Sequence, residues 1–254
     1  MTSEPLLLLA WLVAAAPPLP RAVSNAMLMA CLAWIAALAH LRRALATPDA
    51  IVSPSHVRVA GDGPPHSICV LCPGMHSNVP KTRASAPCHA LVRAFSTVVL
   101  FDYSDGASHL DHLVDDAMRA MTSYAGGAGA CTIAGYSMGG AVAMHLAERM
   151  RVAGWTRPIE LILFAAPAHV HDGVTLPTLM SIGMRVFAMD LDTRRACARV
   201  GTPAHVHVVH AKDDRVISID HAFAIAQTAA CAGMRVTLDT YDRGGHALTG
   251  LFRA

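Results

Sequence analysis

The stretch CTIAGYSMGGAVAMHLAE, residues 131–148, decides the fold. It passes from an apolar, β-rich segment into small residues and then into a helical pattern. Ser137 stands at the joint, between Gly135 and the pair Gly139–Gly140. A serine there is either a side chain held out on a strained turn or an ordinary polar residue where a strand meets a helix. The string Gly-x-Ser-x-Gly is too short to decide, so its context has to come from the rest of the chain.

Working outward, apolar runs alternate with helical patterns from residue 56 onward. The strands are expected at 56–60, 67–73, 97–103, 131–136, 160–166, 205–211 and 235–241, with helices near 88–95, 109–124, 139–151 and 219–232. Several of the runs are almost continuously apolar, as strands buried on both faces must be. In the third helix Val142, Leu146 and Met150 recur every four residues, a stripe that would pack on the sheet. This alternation predicts an α/β fold with a doubly wound, mostly parallel sheet, and function at the carboxyl ends of the strands. Ser137 then sits in the one context that gives the motif a mechanical meaning: a tight turn between a buried strand and an amphipathic helix.

A serine hydroxyl is a weak nucleophile unless a base takes its proton, and the base needs a carboxylate to orient it. Both follow at the ends of later strands. After HVHVVHA comes KDDRVI, with Asp213 and Asp214; after RVTLDTYDR comes GGHALTG, with His246. The order Ser, Asp, His at three strand ends demands far more than any single motif.

These residues resemble the α/β-hydrolase superfamily over nearly all of 56–254, and within it the membrane-anchored Bem46-like group. The likeness rests on GYSMGGAVAMHLA and on PAHVHVVHAKDDRVISIDHA. It implies Ser137 as nucleophile, Asp214 as acid and His246 as base, with Asp213 the alternate acid. It also implies an oxyanion hole from the backbone N–H groups of Met138 and of Met75, in the loop CPGMHSN. The family shows His-Gly in that loop where this chain has Pro73–Gly74. After the next strand the family has Asp-Tyr-Arg-Gly, and this chain keeps Asp102 and Tyr103 but places Ser104 at the arginine position.

The chain has 254 residues, 54% of them hydrophobic and only 15% charged, with a mean hydropathy of +0.41. That is greasy for a soluble domain and points to a segment that meets lipid. Residues 5–20 and 22–41 carry no charge, and the second run is long enough to span a hydrocarbon core. Residues 1–45 are therefore expected to be a membrane anchor, followed by a linker at 46–55. A cleaved signal peptide followed by secretion and a buried helix are the competing readings. Arg42 and Arg43 after the second run favour a cytosolic catalytic domain.

The net charge is only +2, with no basic stripe interleaved with aromatics, so nucleic acid is not an expected partner. Cys69 and Cys72 form a C-x-x-C, but strand alternation puts them on opposite faces, as buried thiols. His205 and His207 share a strand face, as two metal ligands would, yet no nearby Cys or carboxylate is expected to complete a set on that face. Neither a metal nor a cofactor is expected. In HLDHLVDDAMR, residues 109–119, His112, Asp115 and Asp116 read as a solvated helix face.

Residues 168–202 are the expected lid, where Met180, Met184, Phe187 and Met189 make an adaptable apolar surface. The expected substrate is an ester or thioester with a hydrophobic acyl group. A non-catalytic interaction module on the same fold, and acyl transfer to an acceptor other than water, are the alternatives.

Overall fold

A computed structural model of the chain describes residues 56–75, 77–104, 109–125, 131–169 and 191–252. All of them belong to the unit Ala50–Ala254. The anchor and linker segments, 1–55, lie outside the described residues. So do residues 170–190 of the expected lid, with Met180, Met184, Phe187 and Met189.

Seven strands form one sheet: β1 (His56–Ala60), β2 (Ile68–Cys72), β3 (Thr97–Phe101), β4 (Cys131–Tyr136), β5 (Ile159–Phe164), β6 (Ala204–Ala211) and β7 (Arg235–Tyr241). Their order is β1-β3-β2-β4-β5-β6-β7; β1 runs antiparallel to β3, and every other neighbouring pair is parallel. All seven expected strands are present, within two residues at each end. β2 and β3 bury four of their five residues, whereas edge strand β7 alternates with solvent. From β2 the chain steps to β3, which lies between β2 and β1, and then crosses to the other side of β2 through β4. The strand order thus reverses between β2 and β4, where α/β sheets open a crevice beyond their carboxyl ends.

Six helices are described: α1 (Val79–Arg83), α2 (Ala86–Ala94), α3 (Leu110–Ala125), α4 (Met138–Val152), α5 (Thr193–Val200) and α6 (Ile219–Cys231). On one face Leu113 and Val114 of α3, Val142 and Leu146 of α4, Cys197 of α5 and Ile225 of α6 share a core with the sheet. On the other, Val79 of α1, Cys88 and Leu91 of α2, and Leu251 of the 3-10 turn Thr249–Phe252 pack under β2 and β3. Cys69 joins the second core and Cys72 the first, as alternation along β2 requires.

Three expectations change. α4 is buried nearly all round, from Met138 through Ala147, and not only along the Val142–Leu146–Met150 stripe. Its alanines and glycines let the sheet, α3 and α5 close on it from three sides. The last part of the expected lid is a helix packed into the core. Residues 193–200 form α5, capped by the Asp192 side chain, which accepts from Arg195 N–H at 2.9 Å, and Thr193, Ala196, Cys197 and Val200 are buried. Asp116 is not solvated either. It is fully buried and accepts from Ser104 N–H at 2.7 Å and Ser104 Oγ–H at 2.8 Å, and it also pairs with Arg119. Asp115, one residue and about 100° earlier around the helix, stays half exposed and pairs with Arg149.

Candidate active site

β4 ends at Tyr136, and Ser137 takes φ 55°, ψ −125°, a conformation strained for any residue but glycine. Two backbone bonds hold it there: Ser137 N–H donates to Phe164 O at 2.8 Å, and Gly140 N–H donates to Ser137 O at 2.9 Å. The neighbouring glycines are demanded by contact. A Cβ on Gly135 would lie 2.2 Å from Gly139 O, one on Gly139 2.1 Å from Cys72 O, and one on Gly140 2.4 Å from Ala166 Cβ. Ser137 is the N-cap of α4, yet its side chain makes no capping bond and is left for other partners.

Its partner is His246. The imidazole Nε2 lies 2.9 Å from Ser137 Oγ, and Nδ1 lies 2.8 Å from Asp214 Oδ2. A carboxylate only accepts, so Nδ1 carries the proton and Nε2 presents a lone pair to the serine hydroxyl. Asp214, of which 0% of the side chain is exposed, receives Val216 and Ile217 N–H on Oδ1 at 2.8 and 3.0 Å. Burial by itself would raise its pKa. Hydrogen bonds from His210, His246 and the Ile217 amide outweigh burial and hold the carboxyl well below the usual range.

Two residues hold the histidine loop: Tyr136, which the sequence did not single out for the site, and Asp213, the alternate acid. Tyr136 Oη–H donates to His246 O at 3.1 Å, and its ring lies 5.4 Å from the imidazole. Asp213 accepts Gly245 N–H at 2.7 Å on Oδ1, so it meets the backbone of the loop while Asp214 meets the imidazole. The signal for Tyr136 was only its place before the serine.

On the other side of Ser137 runs the loop leaving β2. A Cβ on Gly74 would stand 3.5 Å from Ser137 Cβ, so only about one methyl group's width separates this loop from the serine, and Met75 is the next residue along it. Tyr103 Oη–H donates to Pro73 O at 3.2 Å, and Asp102 accepts Val79 N–H at 2.6 Å, which braces both ends of the loop. Met138 is the first residue of α4, where a helix leaves its N–H groups without intrahelical partners and favours negative charge.

The histidines of β6 have carboxylates beside them from neighbouring strands. Parallel register brings Glu160 Oε2 to 2.6 Å from His205 Nδ1, and Asp239 Oδ2 lies 2.7 Å from His207 Nε2. Strand pairing supplies these neighbours, which linear sequence hides. They form two separate pairs, and no group of three or more His, Cys, Asp or Glu among the described residues is arranged to hold a metal. A cavity of about 410 Å³ lies away from the serine, between α3, α4 and α5, lined by His109, Asp111, His145, Glu148, Arg149 and Arg195 among others.

With this geometry in place, comparison with known proteins gives a consistent picture. A family described as Thioesterase domain matches residues 94–182, about a third of the chain, which includes Ser137 but neither Asp214 nor His246. No curated protein matches the sequence. Among solved structures, the chain is similar to a lipase-esterase related protein from Clostridium acetobutylicum, at 14% identity and a TM-score of 0.61, covering 80% of this chain and 96% of that one. It is also similar to a hormone-sensitive lipase from a metagenome library, at 18% identity, TM-score 0.60, 75% of this chain and 72% of that one. Mouse alpha/beta hydrolase domain-containing protein 10 aligns at 18% identity and a TM-score of 0.50, over 78% and 88% of the two chains. The fold is that of the α/β hydrolases.

Proposed function

We propose that the protein is a serine hydrolase that cleaves an ester or thioester with a hydrophobic acyl group. His246, oriented by Asp214, takes the hydroxyl proton as Ser137 Oγ attacks the acyl carbonyl. The N–H groups of Met138 and Met75 receive the oxyanion, and His246 returns the proton to the leaving alkoxide or thiolate. Water activated by His246 then attacks the acyl-enzyme, releasing the carboxylic acid and the free serine. The observation that supports this most directly is the line of contacts from Ser137 Oγ through His246 to Asp214, at 2.9 and 2.8 Å, on a strained turn. A thioester or ester substrate agrees with the thioesterase-domain match and with lipase and esterase relatives of the fold.

Attachment to a membrane through the N-terminal segment 1–45, as one span or a hairpin, and kinship with the Bem46-like group, belong to the same proposal on sequence grounds alone. A panel of nitrophenyl esters and acyl-thioesters of increasing chain length, run on the full chain with Ser137→Ala as blank, tests the reading. Turnover that rises with chain length and vanishes in the blank supports it. No turnover across the panel, or turnover unchanged in the blank, contradicts it.

A further inference from the structure

The acid of this site faces two imidazoles. His210, four residues before Asp214 and near the end of β6, is fully buried. Its Nε2 lies 2.9 Å from Ile217 O and 3.4 Å from Asp214 Oδ2. Both of those atoms accept, so Nε2 carries the proton and Nδ1 is a bare lone pair. That Nδ1 is buried with no hydrogen-bond partner in the structure, which is unfavourable. An aliphatic side chain would fill the space without stranding a polar atom, so packing gives no reason for an imidazole here. Asp214 Oδ1 is taken up by two backbone amides, and Oδ2 is divided between His246 Nδ1 at 2.8 Å and His210 Nε2 at 3.4 Å.

We propose that His210 is a positioning residue for the base: it fixes the plane of the Asp214 carboxylate and draws part of the charge on Oδ2 away from His246. The inference rests on the proposed roles of Ser137, His246 and Asp214. Its consequence has a definite sign. The Asp214 charge favours protonated His246, so a carboxylate no longer shared with His210 favours the imidazolium more strongly. The neutral, base-competent form of His246 then needs a higher pH. The other titratable or charged groups near these rings are Tyr136 on β4, Asp213 on the acid loop and His221 on α6, and His221 in turn is influenced by Asp220 on α6, Arg194 on α5 and His169. All of them are unchanged in the variants below.

The test is kcat/KM against pH for the full chain on an activated ester, in wild type, His210→Gln and His210→Leu. Glutamine can place an amide N–H where Nε2 stands, whereas leucine cannot donate. The acid limb should move up by about half a pH unit or more in His210→Leu and stay near wild type in His210→Gln. An unmoved limb with activity lowered equally at all pH, or a limb moved down, overturns the inference. If Ser137→Ala hydrolyses the ester as fast as wild type, it is the serine reading that fails instead. Ring-nitrogen NMR of the wild-type protein needs no variant to fold: His210 must be the Nε2–H tautomer at neutral pH, and an Nδ1–H tautomer overturns the proposal.

Discussion

Ser137 Oγ and His246 Nε2 lie 2.9 Å apart although 109 residues separate them in the chain. Nothing local brings them together. β4 delivers the serine and the loop after β7 delivers the histidine, and the acid arrives between them at the end of β6. Groups that act as one unit lose their effect together. Ser137→Ala and His246→Ala are each expected to lower kcat by ~10⁴-fold or more, and the double variant to be hardly worse than either. Kinetics on one activated ester measures all three, and losses that multiply would mean the two side chains act separately.

Asp214 links the site to stability. Its folded-state pKa lies below the unfolded value of about 3.9, so it stabilises the fold above that value. The contribution is lost as the pH falls through the folded-state pKa. Asp214→Asn should therefore lower activity by ~10³-fold or more. It should also shrink, by on the order of 1–3 kcal/mol, the stability lost between neutral pH and strongly acidic pH. Urea unfolding at the two pH values measures the second effect, and equal acid sensitivity in both proteins would contradict it.

Tyr136 offers a subtler test. Burial, and then the Asp214 charge, push its phenol pKa up, so it remains a neutral donor to His246 O. Tyr136→Phe keeps the ring beside the imidazole and removes that one bond. A loss of about fivefold in kcat, equivalent to ~1 kcal/mol, is expected with KM unchanged. A change confined to KM would assign Tyr136 to substrate binding.

The elbow predicts a purely steric effect. Gly139→Ala sets a Cβ 2.1 Å from Cys72 O and 2.5 Å from Pro73 O, both backbone atoms that cannot swing away, so β2 and α4 must separate. The expected penalty is about 3 kcal/mol, read as a lower urea midpoint. A variant as stable as wild type would mean that strand and helix are not packed this tightly.

The sheet was legible because strands buried on both faces must be nearly continuous apolar runs, and the runs from Ile68 and Val98 leave no other reading. Ser137 and Asp214 were legible as candidates because each follows an apolar run, and His246 because it follows the alternating edge strand β7. What escaped depends on contacts across the fold. Helix α1 has five residues, too few to show a period. Helix α5 shows only Ala196, Cys197, Ala198 and Val200 among three arginines, and was hidden in the expected lid. Asp116 looked solvated because its partner Ser104 comes from another element. Glu160 beside His205 is visible only once β5 and β6 are in register. His210 lies four residues from Asp214 in sequence, but its contact requires β6 to turn back on itself after Ala211.

The most direct measurement is covalent labelling with a fluorophosphonate, followed by peptide mapping. The account predicts one adduct, on Ser137 of the wild-type protein, lost in Ser137→Ala and formed far more slowly in His246→Ala. Equal labelling of wild type and Ser137→Ala, or an adduct on a different residue, would contradict it.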